Sequence, residues 1–160
     1  MRIVRTNKGF TIVELLIVIV VIAILAAISV VAYNGIQERA RLSRYQTELG
    51  AVNKAIQLYY VDNGRYPVCG GGSEWCGWDQ AANFVPGISP KYMAKQPQLP
   101  ESNVTEDTYL YMSGGTTYCL IRYRSEAAGG LSVIEKAGGL KVGTYADTAW
   151  GFESNETGCG

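Results

Sequence analysis

The sequence predicts an α+β chain. A long N-terminal α-helix, its first half membrane-spanning and its second half amphipathic, packs on a small antiparallel β-sheet head. Three observations predict this. Phe10 to Val31 is an almost uncharged apolar run, long enough for a membrane helix. No Pro occurs before Pro67, so nothing breaks a helix that continues past that run. Beyond residue 107 the chain turns to β-branched and aromatic runs separated by Gly pairs, the pattern of strands and turns.

The apolar run of about 22 residues spans about 33 Å as a helix, enough to cross a bilayer. A secretory signal peptide is the competing reading. Its apolar core would be shorter, free of Glu and followed by a small-residue cleavage site, which Ala26-Ala27-Ile28-Ser29 matches poorly. From Tyr45 the apolar positions run Tyr45, Leu49, Val52, Ile56 and Tyr59/Tyr60. Those steps of four and three mark one face of a helix. Gly35 and Gly50 weaken it by up to about 1 kcal/mol each and allow a bend. The reading is one helix from Phe10 to Val61, about 75 Å long. Asp62-Asn63-Gly64 ends it, with Gly64 suited to the left-handed C-terminal conformation and Pro67 close behind.

Val68 to Val104 is loop-like, with Gly and Pro clusters and Trp75 and Trp78. Gln80–Phe84 fits a helical turn. A loop this long is usually functional or stapled. Thr108–Met112 and Thr116–Arg124 flank Ser113-Gly114-Gly115 as a hairpin. Cys119, Ile121 and Tyr123 share one strand face, with Leu120 and Arg122 opposite. Leu131–Lys136 and Leu140–Tyr145 are further strand candidates, and the tail Ala149–Gly160 reads as irregular. Aromatic residues in strands pack across strands. Trp75 and Trp78 have two readings: exposed adhesive contacts, or a plug fastening the loop to the sheet.

The chain has 160 residues, with 14 Lys+Arg and 14 Asp+Glu. This balance gives no global signal for nucleic acid. Four cysteines, Cys69, Cys76, Cys119 and Cys159, allow three pairings. Without a C-x-x-C knuckle or any His, zinc is disfavoured and extracytoplasmic disulfides are favoured. Proximity favours Cys69–Cys76, closing the Gly70-Gly71-Gly72 loop, and Cys119–Cys159, tying the C-terminus to a strand.

The absence of His also excludes Ser–His and Cys–His nucleophile pairs. No phosphate-binding loop or dinucleotide fingerprint is present, so the chain reads as a non-enzyme with no cofactor. Asp147 and Glu153 are too sparse for a Ca²⁺ site, and no metal is expected. Asn103-Val104-Thr105 and Asn155-Glu156-Thr157 match the glycosylation sequon.

Glu14 is the informative residue. A carboxylate well inside a membrane segment costs roughly 2.5–3.5 kcal/mol on insertion scales, so it needs a partner or a function. The sequence offers Glu14 no built-in partner inside the bilayer. Its bland role is to favour a helix N-terminus. It stands in Lys8-Gly9-Phe10-Thr11-Ile12-Val13-Glu14, after a short basic leader with Arg2, Arg5 and Lys8. This arrangement resembles the processing site of the type IV pilin family. The run Tyr59-Tyr60-Val61-Asp62-Asn63-Gly64-Arg65-Tyr66-Pro67 is similar to the segment closing the long helix of pilins and pseudopilins.

The resemblance implies cleavage by a prepilin peptidase between Gly9 and Phe10, and N-methylation of Phe10. It further implies assembly through Phe10 and Glu14, Glu14 pairing with the new amine of a neighbouring subunit. Removing residues 1–9 takes away Arg2, Arg5 and Lys8. The implied divisions are a leader (1–9), a transmembrane and filament-core helix (10–31) and a head (32–160). Within the head lie the helix continuation (32–61), a loop (62–107), and the sheet with a disulfide-tied C-terminus (108–160).

The implied function is structural: a subunit of a type IV pilus serving adhesion, twitching motility or DNA uptake. Partners are other copies and other pilins, the peptidase, the membrane assembly platform and a surface ligand; DNA as a direct partner has no support in the composition. The alternatives are a pseudopilin of a type II secretion system and a membrane-anchored binding protein that never polymerises. Arg39, Arg41 and Arg44 follow the apolar run as Arg2, Arg5 and Lys8 precede it, so charge alone does not orient the helix. A cytoplasmic leader with an external head, later an extracellular pilus, rests on the motif and the cysteines. The cluster Arg39/Arg41/Arg44 reads chiefly as a solvated helix face. Many type IV pilins carry a Pro in the second half of the apolar segment; this chain has none there, so helix melting at that place is not carried over.

Overall fold

The computed structural model describes residues 9–78, 83–99, 107–125, 130–131 and 149–154. The elements in order are helix α1 (Ile12–Asn63), a short 3-10 turn (Gly70–Gly72) and strands β1 (Asp107–Ser113), β2 (Tyr118–Arg124) and β3 (Ala149–Glu153). The chain forms two compact units, Met1–Ala40 and Arg41–Gly160.

In the first unit the stretch of α1 from Leu15 to Ile28 is apolar on every side. Ile12–Ser29 is long and apolar enough to cross a membrane, and none of it is buried. A helix that is hydrophobic all round belongs in a membrane or inside an assembly.

In the second unit α1 becomes one-sided. Leu42, Leu49, Val52, Ala55 and Ile56 are buried, with Tyr45 and Tyr59 partly covered, which is the expected stripe. The helix runs two residues beyond the expected Val61. The Gly64 N–H donates to the Tyr60 carbonyl at 2.8 Å, and the Asn63 amide donates to the Tyr59 carbonyl at 2.8 Å. Both satisfy last-turn acceptors that a helix end leaves open.

The sheet is antiparallel in the order β1-β2-β3. Tyr109 lies opposite Arg122, and Leu110 opposite Ile121; Leu120 lies opposite Phe152. Strand alternation sorts the side chains. Tyr109, Tyr111, Tyr118 and Leu120 join the helix core with Phe84, Val85 and Ile88. Leu110, Cys119, Ile121 and Ala149 make a second cluster, with Trp75 and Tyr123 packed against it. The expected hairpin is present, though β2 starts at Tyr118. The Ser113 hydroxyl donates to the Thr117 carbonyl and accepts from the Gly115 N–H, and these bonds occupy residues 115–117 in the turn.

The tail requires a correction. Ala149–Glu153 is a strand, not irregular chain, paired along β2 from Cys119↔Glu153 to Tyr123↔Ala149. Its order comes from the free edge of β2, a long-range partner that local composition does not reveal. The expected strands 131–136 and 140–145 lie outside the described residues, apart from buried Leu131. The expected turn Gln80–Phe84 lies largely outside them too.

Candidate functional site

At the N-terminus Gly9, Phe10 and Thr11 precede the helix, which begins at Ile12. Phe10 is 83% exposed. Thr11 and Glu14 form a reciprocal pair. The Thr11 backbone N–H and hydroxyl both donate to Glu14 Oε2, at 2.8 and 2.7 Å. The Glu14 N–H donates back to Thr11 Oγ1 at 3.2 Å. This is a capping box, in which the side chains at both ends of the first turn satisfy backbone donors.

The pair corrects the expectation that Glu14 has no built-in partner. Thr11 supplies one, three residues away. The signal was present as Thr-x-x-Glu directly before an apolar run, a known start signature. Thr11 is therefore the capping residue that sequence reasoning passed over.

The head's loop is built on a second group of residues. Cys69 and Cys76 are disulfide-bonded, Cα to Cα 6.1 Å, the pairing that proximity favours. The Cys69 N–H donates to Ser113 O, and Cys76 exchanges two backbone bonds with Tyr111. The closed loop thus covers the outer edge of β1, which would otherwise expose unpaired backbone groups. Cys119 is also disulfide-bonded; Cys159 lies outside the described residues. Trp75 packs against the outer cluster of the sheet. The Trp78 ring meets Tyr123 edge-on, 5.4 Å between centroids. The Trp75 contact favours the plug, whereas Trp78 keeps an exposed face.

From Phe84 to Leu99 the second loop is held by Gln96, which is 1% exposed. Its side chain accepts from the Val85 N–H at 2.8 Å and donates to the Val85 carbonyl at 2.7 Å. The loop's far end is tied to the end of α1. Lys91 Nζ and the Tyr92 hydroxyl donate to Asp62 Oδ2, at 2.8 and 2.9 Å. The Lys91 bond first, then the Tyr92 bond, hold the Asp62 carboxyl below its ordinary value.

Among the described residues, no three His, Cys, Asp or Glu side chains converge to hold a metal ion. Glu153 lies in β3; Asp147, Asn103 and Asn155 lie outside the described residues. The arrangement favours structural work. It comprises an uncovered apolar helix with one acid near its start, and a small cross-linked head.

Comparison with known proteins follows that division. Residues 4–30 match the prokaryotic N-terminal methylation motif. The chain is 41% identical to the fimbrial protein EcpC of Eikenella corrodens over 63 residues, which is 39% of this chain and 41% of that protein. It is 29% identical to the type II secretion system core protein G of Klebsiella michiganensis over 104 residues, 60% of this chain and 69% of that one. It is 39% identical to a type IV major fimbrial protein FimA of Dichelobacter nodosus over 81 residues, 51% and 48% of the two chains. The chain thus spans about half the length, or less, of these fimbrial relatives. No solved structure matches it.

Proposed function

We propose that the chain, whose N-terminal segment is similar to those of type IV pilins and pseudopilins, is the subunit of a type IV pilus, processed after Gly9 and polymerised through α1. The observation that carries this reading is the match over residues 4–30 leading into a helix window with no buried residue. An apolar helix this bare needs lipid before assembly and sister helices after it.

Cleavage would create an amine on Phe10, one helical turn from Glu14. In a helix bundle an unpaired charge is costly, and a matched pair is tolerated. Glu14 then pairs with the amine of an adjacent subunit and sets the axial stagger. Both Thr11 bonds end on Oε2, so Oε1 is the oxygen that meets the amine. The head faces outward, in keeping with its disulfides, and the Cys119 disulfide is completed by Cys159. The role is structural, and adhesion, twitching motility or DNA uptake is what such a filament serves.

A pseudopilin of a type II secretion system is the second reading. It is favoured by the relative from Klebsiella michiganensis, whose match extends over 60% of this chain. Intact mass and N-terminal sequencing of the protein from its native host test processing and cysteine pairing together. The expected product begins at methylated Phe10 and has lost the hydrogens of two disulfides. A chain retaining residues 1–9, in cells with an active peptidase, would overturn the proposal. Replacing Glu14 with Ala should abolish filaments without loss of membrane insertion; unaltered filaments would remove Glu14 from assembly. Filaments on the cell surface in shear fractions favour the pilus, and secretion loss without surface filaments favours the pseudopilin.

A further inference from the structure

Asn63 and Gly64 close α1, and the pair has a reactivity of its own. Where Gly follows Asn, the Gly amide nitrogen can attack the carbonyl carbon of the Asn side chain, because no Cβ obstructs the approach. In this chain both partners of that reaction are tied. The Gly64 N–H donates to the Tyr60 carbonyl at 2.8 Å. The Asn63 amide donates to the Tyr59 carbonyl at 2.8 Å and to the Tyr92 hydroxyl at 3.2 Å. Asn63 is also the last residue of α1, and ring closure needs its backbone to leave the helical conformation.

Tyr92 is itself anchored. Its N–H donates to the Ile88 carbonyl at 2.8 Å, and Ile88 is buried in the core. Its ring meets Tyr59 edge-on, 5.6 Å between centroids. Its hydroxyl accepts from Lys91 Nζ at 2.9 Å and donates to Asp62.

We propose that Asn63–Gly64 is a self-modification site, kept latent by Tyr92, at which the chain converts asparagine to aspartate or its β-linked isomer when that tie opens.

The chemistry closes with water alone. Gly64 N bonds to Asn63 Cγ, and the bond from Cγ to the side-chain nitrogen breaks. Ammonia leaves, carrying the proton of the Gly64 amide. Water, to which Asn63 is exposed, then opens the five-membered imide. Opening at Cγ gives aspartate. Opening at the main-chain carbonyl gives the β-linked isomer, whose backbone is one carbon longer. Either product is an acid with no donor for the Tyr59 carbonyl. It stands beside Asp62 at the end of α1, where the helix dipole disfavours anions. The longer isomer also displaces Tyr66, whose N–H donates to the Gly115 carbonyl at 2.8 Å. The conversion is one-way and loosens the junction between α1 and the second loop. All of these contacts lie in the second unit, and the proposal is independent of whether the chain polymerises.

The test follows the full chain in detergent micelles at mildly alkaline pH, sampled over days, digested with trypsin and read by mass spectrometry. Cleavage after Lys54 and Arg65 releases residues 55–65, in which Asn63 is the only asparagine. The modified peptide carries a hydroxyl in place of the side-chain amine, and its two isomers separate by chromatography. The folded chain should convert about tenfold or more slowly than the same chain unfolded in urea, the factor that two ordinary hydrogen bonds supply. Tyr92→Phe keeps the ring and removes the tie to Asn63. It should speed the folded conversion about threefold, the worth of one such bond, and leave the rate in urea unchanged. Tyr118→Phe removes a hydroxyl bonded to Asn53 and Gln57, away from this site, and should leave both rates unchanged. Equal rates in the folded and unfolded chain, a Tyr92→Phe chain converting like the parent, or a Tyr118→Phe chain accelerating as much as Tyr92→Phe would each overturn the proposal. If a variant fails to fold, the parent compared with its own unfolded form decides.

Discussion

At the scale of single residues, the head is joined by hydroxyls and a guanidinium reaching across from the sheet to the helix. Tyr118 is the clearest case. Its ring is buried among apolar neighbours, and its hydroxyl bridges Asn53 and Gln57, one turn apart on α1. Replacing Tyr118 with Phe keeps the ring and removes the bridge. Both partners remain within reach of water, so the loss is that of ordinary hydrogen bonds, about 1 kcal/mol. Urea unfolding of the full chain in detergent should show a lower midpoint with an unchanged slope. A loss above about 3 kcal/mol, the size reserved for leaving a polar group buried and unsatisfied, would mean that the bridge is doing something other than joining helix to sheet.

Among elements, the loops are held closely by specific backbone approaches. Gly77 has a φ of +112°, and a Cβ there would lie 2.2 Å from the Tyr109 carbonyl oxygen. Alanine at this position must push the loop off β1, so Gly77→Ala should destabilise by about 2–3 kcal/mol. Gly50 is the opposite case. It sits in the middle of α1, and an added Cβ meets nothing within 4 Å, so Gly50→Ala should stabilise by up to about 1 kcal/mol. Thermal unfolding of the two variants beside the parent reads both signs in one experiment. A stabilised Gly77→Ala chain would mean that the loop does not approach β1 so closely.

These elements were unequally legible in the sequence. The helix could be read because its cause is local: an apolar run, a stripe with steps of four and three, and a stop at Asp62-Asn63-Gly64. The Cys69–Cys76 clip was legible by proximity. Strand β3 was not, because its five residues, with Gly151 in the middle, acquire order only from β2, some thirty positions away in the chain. Arg122 was placed on the correct face, but not its burial. That depends on Asp107 and Tyr45 meeting it from two other elements. Thr11 was legible in principle and masked by the stronger signal of Glu14 beside it.

For the whole molecule, the head concentrates tyrosine: the chain has eleven, and several stack between helix and sheet. Tyr66 lies 4.5 Å from Tyr60 and 4.6 Å from Tyr118, centroid to centroid, and Tyr118 lies 6.2 Å from Tyr111. Burial pushes the hydroxyls of Tyr109, Tyr111 and Tyr118 above their ordinary value, and at Tyr109 the bond to the Glu48 carboxylate adds to the rise. Above about pH 10 the unfolded chain gives up these protons and the folded chain keeps them. Unfolded chain thus binds fewer protons there, and stability falls as pH rises. The contribution of these hydroxyls is complete below about pH 10 and is lost from there toward the raised folded values. At the acid end the sign reverses. Asp62 is held low chiefly by Lys91, so its contribution is present above the ordinary carboxylate value near 4 and is lost as pH falls below it. Thermal midpoints of the full chain should therefore stay level across neutral pH and drop above about pH 10. Tyrosinate absorbance from the buried residues should appear together with unfolding, not before it. A midpoint that stays flat well above pH 10, or buried tyrosines that ionise while the fold persists, would show that water reaches these hydroxyls in the native head.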